Sequence, residues 1–329
     1  MREFIRSIVH ALEADQSVCL VSLLKSSGST PRGTGAMMAV FCGGETTGTI
    51  GGGNVEYTAQ QEAARLLESG QNALREYRFV QGDSASLGMV CGGDVSVHFQ
   101  ILKPCDETTD LFRDLLRATA GNDDTWLVRQ LDGTAVKLMD VADRGGLRSG
   151  ADLPDRFLQH QPVFDDCWLA VPIVRAGRVY VFGGGHVSQE VVPVIARVGF
   201  RPVVYDDRPE FAEKALFPQA EHVICGSFLE LSERITVTPD DYVVIMTRGH
   251  QADYEVLTQV LRSGAKYLGC IGSRQKLAFC RDRLLNSGFT EQEYSRLHAP
   301  IGLAIGAETP EEIAISIAAE LIAVRAGRE

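Results

Sequence analysis

The sequence predicts an α/β protein in which an N-terminal α+β domain is followed by a C-terminal Rossmann-like domain. Two observations carry this prediction. From residue 175 onward, five short apolar segments alternate with amphipathic segments, as parallel β-α-β crossovers require, so we expect a parallel sheet of about five strands. Earlier in the chain, alternating strand patterns and glycine-rich turns surround a helix pattern from Val55 to Glu68, which is typical of an antiparallel or mixed sheet.

The sequence divides into three parts by its patterning. Residues 1–102 carry the α+β pattern, and residues 175–329 carry the strand candidates RVYVFG, RPVVYDD, AEHVIC, DYVVIMT and KYLGCIG. Residues 103–174 are less regular and are either an extension of the first domain or a connecting arm; within them DDTWLVRQLDG and TAVKLMD predict a hairpin around an Asp-Gly turn. The last helix is predicted to begin after Thr309 as N-cap, with Pro310 at its first position.

Composition limits the classes of partner. The 329 residues carry a formal net charge of -11, which argues against nucleic acid or an acidic membrane surface. The eight cysteines form no Cys-x-x-Cys pair, which suits a reducing compartment. The N-terminal segment carries charges throughout, unlike a signal peptide, and no apolar run approaches the roughly 20 residues of a membrane span. We therefore expect a cytoplasmic protein that binds neither nucleic acid nor membrane.

A glycine turn follows the first strand candidate of the C-terminal part. In VFGGGHVS, Gly183 and Gly185 are followed by Ser188 where a third glycine would complete the dinucleotide pattern. Such a turn lets a phosphate approach the helix N-terminus, and Asp206 ends the next strand, where it suits a ribose hydroxyl. The alternative interpretation is a tight turn that binds no ligand.

Further polar residues follow the strands at the same predicted edge of the sheet. Helix starts and basic side chains favour an anionic ligand there, and Arg248 is suited to bidentate phosphate binding. The alternative for His250 is a loop histidine bonded to neighbouring backbone. Nothing in the pattern identifies hydride-transfer machinery. The candidates at this edge are His186, Arg208, Arg248, His250, Ser273 and Arg274.

The N-terminal part carries two more glycine-rich loops, KSSGSTPRGTGAMMAV and TTGTIGGGNVEYTA. The second loop places Gly51, Gly52 and Gly53 before a helix, with Asn54 as the expected N-cap and Glu56 in the first turn. Arg32 in the first loop supplies a positive charge. This pattern predicts an anion site, and the alternative is a set of turn glycines between short strands.

Cys91 lies in a third glycine-containing segment, SLGMVCGGD. Flanking glycines leave its sulfur accessible, so a thiolate there is a candidate ligand for a soft metal or a carrier of sulfur. The alternative is a buried cysteine that packs as a small apolar residue.

Taken together, the motifs resemble the XdhC/CoxI family of accessory factors for xanthine dehydrogenase and related molybdenum hydroxylases. Eight segments carry the resemblance, in the family's order: GSTPRGTGAMM, GTIGGGNVE, GMVCGGD, VFGGGHVSQ, VVYDDRPEF, MTRGHQADYEVL, IGSRQK and HAPIGLAIGAETPEEIAISIAAE.

The resemblance implies a cofactor chaperone more than an enzyme. Its members are understood to bind molybdenum cofactor (molybdopterin), protect it while a cysteine desulfurase supplies its sulfido ligand, deliver it to the hydroxylase, and form homodimers. One departure is Asn54, which stands where many members have cysteine. Either Cys91 is then the thiol candidate for contact with molybdenum or for sulfur transfer, or this chain serves a different client hydroxylase.

Three other functions stay open at this point. An NAD(P)-dependent oxidoreductase would use the Rossmann-like domain, and a cofactor-free scaffold would join the desulfurase to its client. Nucleotidyl transfer to the pterin is a third possibility, although the sequence shows no acidic magnesium cluster.

Overall fold

The computed structural model describes residues 1–26, 32–79 and 93–328. The chain forms two compact units, residues 1–175 and residues 176–329. No helix in the described part of the chain is both long enough and apolar enough to cross a membrane.

The first sheet of the first unit is antiparallel. Its strands lie in the order β3-β2-β1-β5-β4. This confirms the α+β pattern expected of the N-terminal part, and the helix predicted from Val55 to Glu68 is α2, which extends slightly beyond both ends. The elements are α1 (Arg2–Glu13), β1 (Val18–Ser26), β2 (Met37–Phe41), β3 (Thr46–Gly48), α2 (Gly53–Ser69), β4 (Ala73–Phe79) and β5 (Gly93–Leu102).

Residues 103–174 supply a second antiparallel sheet to the same unit, in the order β8-β7-β6-β10-β9. The predicted hairpin is β6–β7, whose turn at Asp132–Gly133 needs the positive φ of 59° at Gly133. The elements are α3 (Asp106–Ala118), β6 (Thr125–Asp132), β7 (Ala135–Asp143), β8 (Gly146–Leu147), β9 (Val163–Phe164) and β10 (Trp168–Val174).

The two sheets of the first unit share one apolar core. Buried residues from both sheets, together with residues of α1 and α3, form a single cluster. Strand alternation explains this, because every second residue of each strand faces the other sheet. Representative members are Ile5, Leu20, Leu102, Phe112, Leu127 and Leu169.

The second unit is a parallel sheet in the order β13-β12-β11-β14-β15-β16. All five predicted strands are present, and β16, a two-residue strand, is a sixth that the sequence pattern did not reveal. The elements are β11 (Val179–Phe182), α4 (His186–Arg197), β12 (Pro202–Asp206), β13 (His222–Cys225), β14 (Tyr242–Ile245), α5 (His250–Val260), β15 (Tyr267–Cys270), α6 (Arg274–Asn286), α7 (Glu291–Tyr294), β16 (Leu297–His298) and α8 (Pro310–Arg325).

Helices cover both faces of this parallel sheet. One buried cluster joins the strands to α4 and α8, and another joins them to α5 and α6. Helix α8 begins as predicted, with Thr309 as N-cap and Pro310 at the first position. The strand order runs outward in opposite directions from β11 and β14, so a switch point lies between these two strands, where ligands of such sheets bind.

Candidate functional site

The turn after β11 is built around two glycines that tolerate no side chain. Gly183 has a φ of +104°, and a Cβ there would lie 2.3 Å from the carbonyl oxygen of Met246. A Cβ on Gly184 would lie 2.1 Å from the carbonyl oxygen of Phe211. Gly185 is the N-cap of α4, and His186 is its first residue. Ser188, in place of a third glycine, is buried and donates its hydroxyl to the carbonyl oxygen of Gly183 at 2.5 Å.

A cavity of about 420 Å³ opens at the carboxyl ends of β11 and β14. Four residues predicted from the sequence line it, namely Gly185, His186, Arg208 and Arg248. The remaining lining residues are Val187, Ser188, Phe211, Met246, Thr247 and Ile271. The start of a helix and two guanidinium groups therefore face one cavity, an arrangement that suits an anionic group.

Asp206 does not present a free carboxylate. It is 1% exposed, and Gly184 donates its N–H to Oδ2 at 2.7 Å. Arg208 donates its backbone N–H and Nε to Oδ1 and its Nη2 to Oδ2, each at 2.9 Å. Burial by itself raises the pKa of Asp206, but the hydrogen bonds from Arg208 and Gly184 outweigh it and leave the pKa below its ordinary value. A ribose hydroxyl would have to displace one of these donors, so the ribose contact predicted from the sequence has no vacant acceptor here.

The two arginines at the cavity differ in their freedom. The guanidinium of Arg208 stacks on Phe211, with 3.7 Å between its carbon and the ring centroid, and it is paired with Asp206. Arg248 is more exposed, at 56%, and donates Nη2 to Asp207 at 2.9 Å. Because an exposed ion pair is weak, Arg248 can turn toward an anion at little cost.

The other predicted residues of this unit lie at the starts of neighbouring helices and do not line the cavity. His250 is the first residue of α5, and its ring meets Phe279 edge-on, with 5.5 Å between centroids. Ser273 is the N-cap of α6 and accepts the N–H of Lys276 at 3.4 Å, and Arg274 is the first residue of that helix.

Asp253 was not singled out in the sequence and lies at the same edge. It is 9% exposed and accepts the hydroxyl of Thr247 at 2.6 Å and the N–H of Thr247 at 3.2 Å. These bonds fix the loop that carries Arg248. Burial raises the pKa of Asp253 despite the hydrogen bonds from Thr247. The sequence signal that could have identified Asp253 is its position in the first turn of α5, at the end of the segment RGHQAD.

In the first unit, the glycine-rich loop before α2 binds a carboxylate of the same chain. Gly51, Gly52 and Gly53 all have positive φ, of 134°, 74° and 62°, which explains the run of glycines. The carboxylate of Glu56 accepts the N–H groups of Ile50 and Gly52, at 3.0 and 3.1 Å, and the hydroxyl of Thr49 at 2.5 Å. The N–H groups of this loop thus bind a carboxylate of the same chain, and whether they also bind an external anion stays a prediction.

The expectation that Asn54 caps α2 is wrong. The helix begins at Gly53 with Gly52 as N-cap, and Asn54 lies inside the first turn. The reason is that the helix already includes Gly53, so Asn54 lies past the N-cap position, and its side chain accepts the hydroxyl of Thr58 at 3.5 Å.

Arg32 lies at a separate cavity of about 420 Å³ within the first unit. Thr49, at the start of the glycine loop, lines the same cavity, whereas residues 51–54 do not. The rest of the lining is Met1, Phe4, Gly33, Thr34, Gly35, Ala36, Met37, Gly48, Pro162, Val171, Pro172 and Arg175.

Cys91 lies outside the residues that the structure describes, so its role stays a prediction. Within residues 1–26, 32–79 and 93–328, no three His, Cys, Asp or Glu side chains are grouped so as to hold a metal ion.

Two family models match the chain. Residues 11–78 match the XdhC and CoxI family, and residues 179–321 match the XdhC Rossmann domain.

Individual proteins are similar over nearly the whole chain. A probable xanthine dehydrogenase subunit of Bacillus subtilis is 28% identical over 325 residues, which are 95% of each chain. The molybdenum cofactor insertion chaperone PaoD of Escherichia coli is 23% identical over 330 residues, which are 100% of this chain and 90% of PaoD. YqeB of Escherichia coli is 27% identical over 307 residues, 93% of this chain, and the match spans only 43% of YqeB.

A crystal structure described as a xanthine dehydrogenase from Bacillus halodurans has a similar fold. It superimposes with a TM-score of 0.79 and 27% identity, covering 99% of this chain and 96% of that chain.

Proposed function

Because the chain belongs to the XdhC and CoxI family, we propose that it binds molybdenum cofactor and delivers it to a molybdenum hydroxylase of the xanthine dehydrogenase type. PaoD, similar over the full length of this chain, is named as an insertion chaperone for that cofactor. The Bacillus subtilis relative is named as a probable subunit of xanthine dehydrogenase.

The cavity between the ends of β11 and β14 is the observation that carries this proposal. Its size falls within the range of small-molecule sites, and it combines a helix N-terminus with Arg208 and Arg248. The phosphate of a pterin cofactor would sit at the N-terminus of α4, near Gly185 and His186, with Arg248 turning toward it. His250, Ser273 and Arg274 would contact the more distant parts of the cofactor from the neighbouring helix starts.

The state of Asp206 favours a pterin over a nicotinamide dinucleotide. Four donors already bind its carboxylate, so it has no acceptor position left for the ribose hydroxyl that NAD(P)-binding domains usually bind there. A phosphate bound at the start of the helix does not need this hydrogen bond. The NAD(P)-dependent oxidoreductase remains the competing enzymatic hypothesis, and it predicts saturable NAD(P) binding.

The remaining proposals concern the sulfur donor, the role of Cys91 and the assembly. We propose that a cysteine desulfurase supplies sulfur to the bound cofactor and that Cys91 contacts the molybdenum or carries this sulfur. We also propose that the chain works in the cytoplasm as a homodimer. In the first unit, Gly51, Gly52, Gly53 and Asn54 would bind an anion only after it displaced Glu56, whereas Arg32 lines its own cavity.

A pterin assay tests the proposal directly. The protein is purified anaerobically from cells that make the cofactor. Bound pterin is then oxidised to its fluorescent form, and molybdenum is quantified in the same sample. We expect near-stoichiometric pterin, a loss of about tenfold in Arg248→Ala, and no loss in Arg262→Ala. Arg262 is a matched control because its exposure, 57%, and that of its partner Glu293, 28%, resemble those of Arg248 and Asp207, 56% and 26%.

Two results would contradict the proposal. Wild-type protein without pterin that binds NAD(P) would support the oxidoreductase. Protein without either ligand that joins desulfurase to hydroxylase would support the scaffold.

A further inference from the structure

The outward face of α8 is apolar. Ile315 is 54% exposed and Ile322 is 38% exposed, with Ala319 between them on the same side of the helix. The opposite side is buried against the sheet and α4. Helices at the surface of soluble proteins are usually polar on their outward side, and a helix that is apolar all round is usually buried.

The loop before α8 widens this apolar surface. Leu303 is 43% exposed and Ile305 is 55% exposed. The loop is held against the helix because the hydroxyl of Ser316 donates to the carbonyl oxygen of Leu303 at 2.7 Å. We call these exposed apolar side chains, two on the loop and two on the helix to which the loop is bonded, the α8 surface: Leu303, Ile305, Ile315 and Ile322.

Charges at the two ends of the α8 surface are opposite. Glu308 and Glu311 are exposed at the N-terminal end, and Arg328 is exposed just beyond the C-terminal end. Two copies of the helix placed antiparallel would bring acidic and basic ends together. A parallel pair would oppose like charges, which is unfavourable.

We propose that a second copy of this chain covers the α8 surface, with the two α8 helices antiparallel about a twofold axis near Ala319. In this register Ile315 lies beside Ile322 of the second copy, and Glu311 lies opposite the C-terminal end of α8 of the second copy, which Arg328 follows. Such a self-complementary patch is what a twofold dimer requires. The proposal gives an interface to the homodimer in the proposed function and does not depend on cofactor binding.

Light scattering on the full chain tests the α8 surface. We expect the wild type to be a dimer and Ile315→Glu to weaken dimerisation by more than about tenfold, because two carboxylates would be buried in the interface. Leu229→Glu is the matched control, since Leu229 is a comparably exposed apolar residue, at 66%, elsewhere in the same unit. It should leave the dimer intact.

The charge pairing is tested with Glu311→Lys and Arg328→Glu. Each single variant should weaken the dimer, and the double variant should restore it, because the swapped charges still pair. This rescue would not occur if either substitution acted by unfolding α8.

The outcomes separate the proposals. A monomeric wild type overturns both the homodimer and the α8 surface. A wild-type dimer that Ile315→Glu and both charge variants leave unchanged overturns the α8 surface alone. Pterin content, measured on the same samples, reports on the cofactor proposal independently.

Discussion

The guanidinium of Arg208 donates two hydrogen bonds to the carboxylate of Asp206, each at 2.9 Å, only two residues away in the chain. Asp206 is 1% exposed, and its remaining donors are backbone N–H groups of Gly184 and Arg208. The pair thereby links the end of β12 to the glycine turn after β11. Asp206, a candidate ribose contact in the sequence, thus holds the glycine turn beside the cavity at the carboxyl ends of β11 and β14.

Removing Arg208 should destabilise the second unit. Arg208→Ala leaves a buried carboxylate without its cation, and we expect a loss of about 3 kcal/mol in the free energy of unfolding. Urea unfolding at neutral pH measures it. Arg281→Ala is the control, because the carboxylates that Arg281 pairs with, Asp282 and Glu291, are exposed, and it should cost less than about 1 kcal/mol. Equal losses in the two variants would contradict the role given to Asp206.

Asp206 should also contribute to acid unfolding. Its pKa is lowered in the folded state, so its contribution to stability is complete above the unfolded value of about 3.9 and is lost as the pH falls through the folded value. The stability difference between wild type and Asp206→Asn should therefore shrink as the pH falls below the unfolded value. Parallel curves over this range would show that Asp206 is not the titrating group. Asp282→Asn, at an exposed position, serves as the control.

Glu56 should stabilise the glycine loop as a charged group. Burial tends to raise its pKa, but hydrogen bonds from Thr49, Gly52 and Ile50 outweigh that and lower it. We expect Glu56→Gln to lose about 1 to 2 kcal/mol, because an amide accepts these bonds less strongly than a carboxylate. Chemical unfolding measures the loss, with Glu68→Gln, exposed on the same helix, as the control. An unchanged free energy of unfolding in Glu56→Gln would show that the glycine loop does not depend on the charge of Glu56.

The core of the first unit contains a guanidinium without a carboxylate partner among the described residues. Arg129 is fully buried and bonds only Ser22, at 2.7 Å, and Gln100, at 3.2 Å, and its Nε has no partner there. Burial lowers the pKa of Arg129 to about 10.

Replacing Arg129 by Met should therefore be neutral or stabilising, because the cost of burying the charge disappears while the volume is kept. Arg129→Ala should be destabilising, since it leaves a cavity. As the pH rises through about 10, the folded state loses its proton before the unfolded state does, so this group's penalty is relieved and the wild type should gain stability relative to Arg129→Met. A strongly destabilised Arg129→Met would instead show that losing the hydrogen bonds to Ser22 and Gln100 costs more than burying the charge.

Cys91 should affect both retention of the sulfurated cofactor and activation of the hydroxylase. We expect Cys91→Ala to retain less of the sulfurated cofactor and to lose most of its ability to activate a hydroxylase, because the thiol is the proposed contact of the molybdenum or of the transferred sulfur. Hydroxylase activity after reconstitution measures the effect. Cys105→Ala, which removes an exposed thiol, is the control. Full activation by Cys91→Ala would remove Cys91 from the mechanism.

The sequence by itself determined the family, the α+β part and the parallel sheet. Strands such as β11 and β14 are continuous apolar runs, and burial on both faces imposes that pattern whatever the ligand. It also determined the start of α8, because the capping signals at Thr309 and Pro310 act within a single turn of chain.

Only the tertiary structure decided what the polar residues do. The sequence predicts a ribose contact for Asp206 and only a place in the first helical turn for Glu56, yet both carboxylates accept N–H groups whose positions depend on how the loops fold. Two-residue strand β16 has no pattern of its own and exists because β15 offers it a partner. Apolar patterning is local and repeats along the chain, so it can be read before folding is known. A hydrogen bond to a carboxylate depends on distances that folding alone sets, so the acceptors are assigned only by the structure.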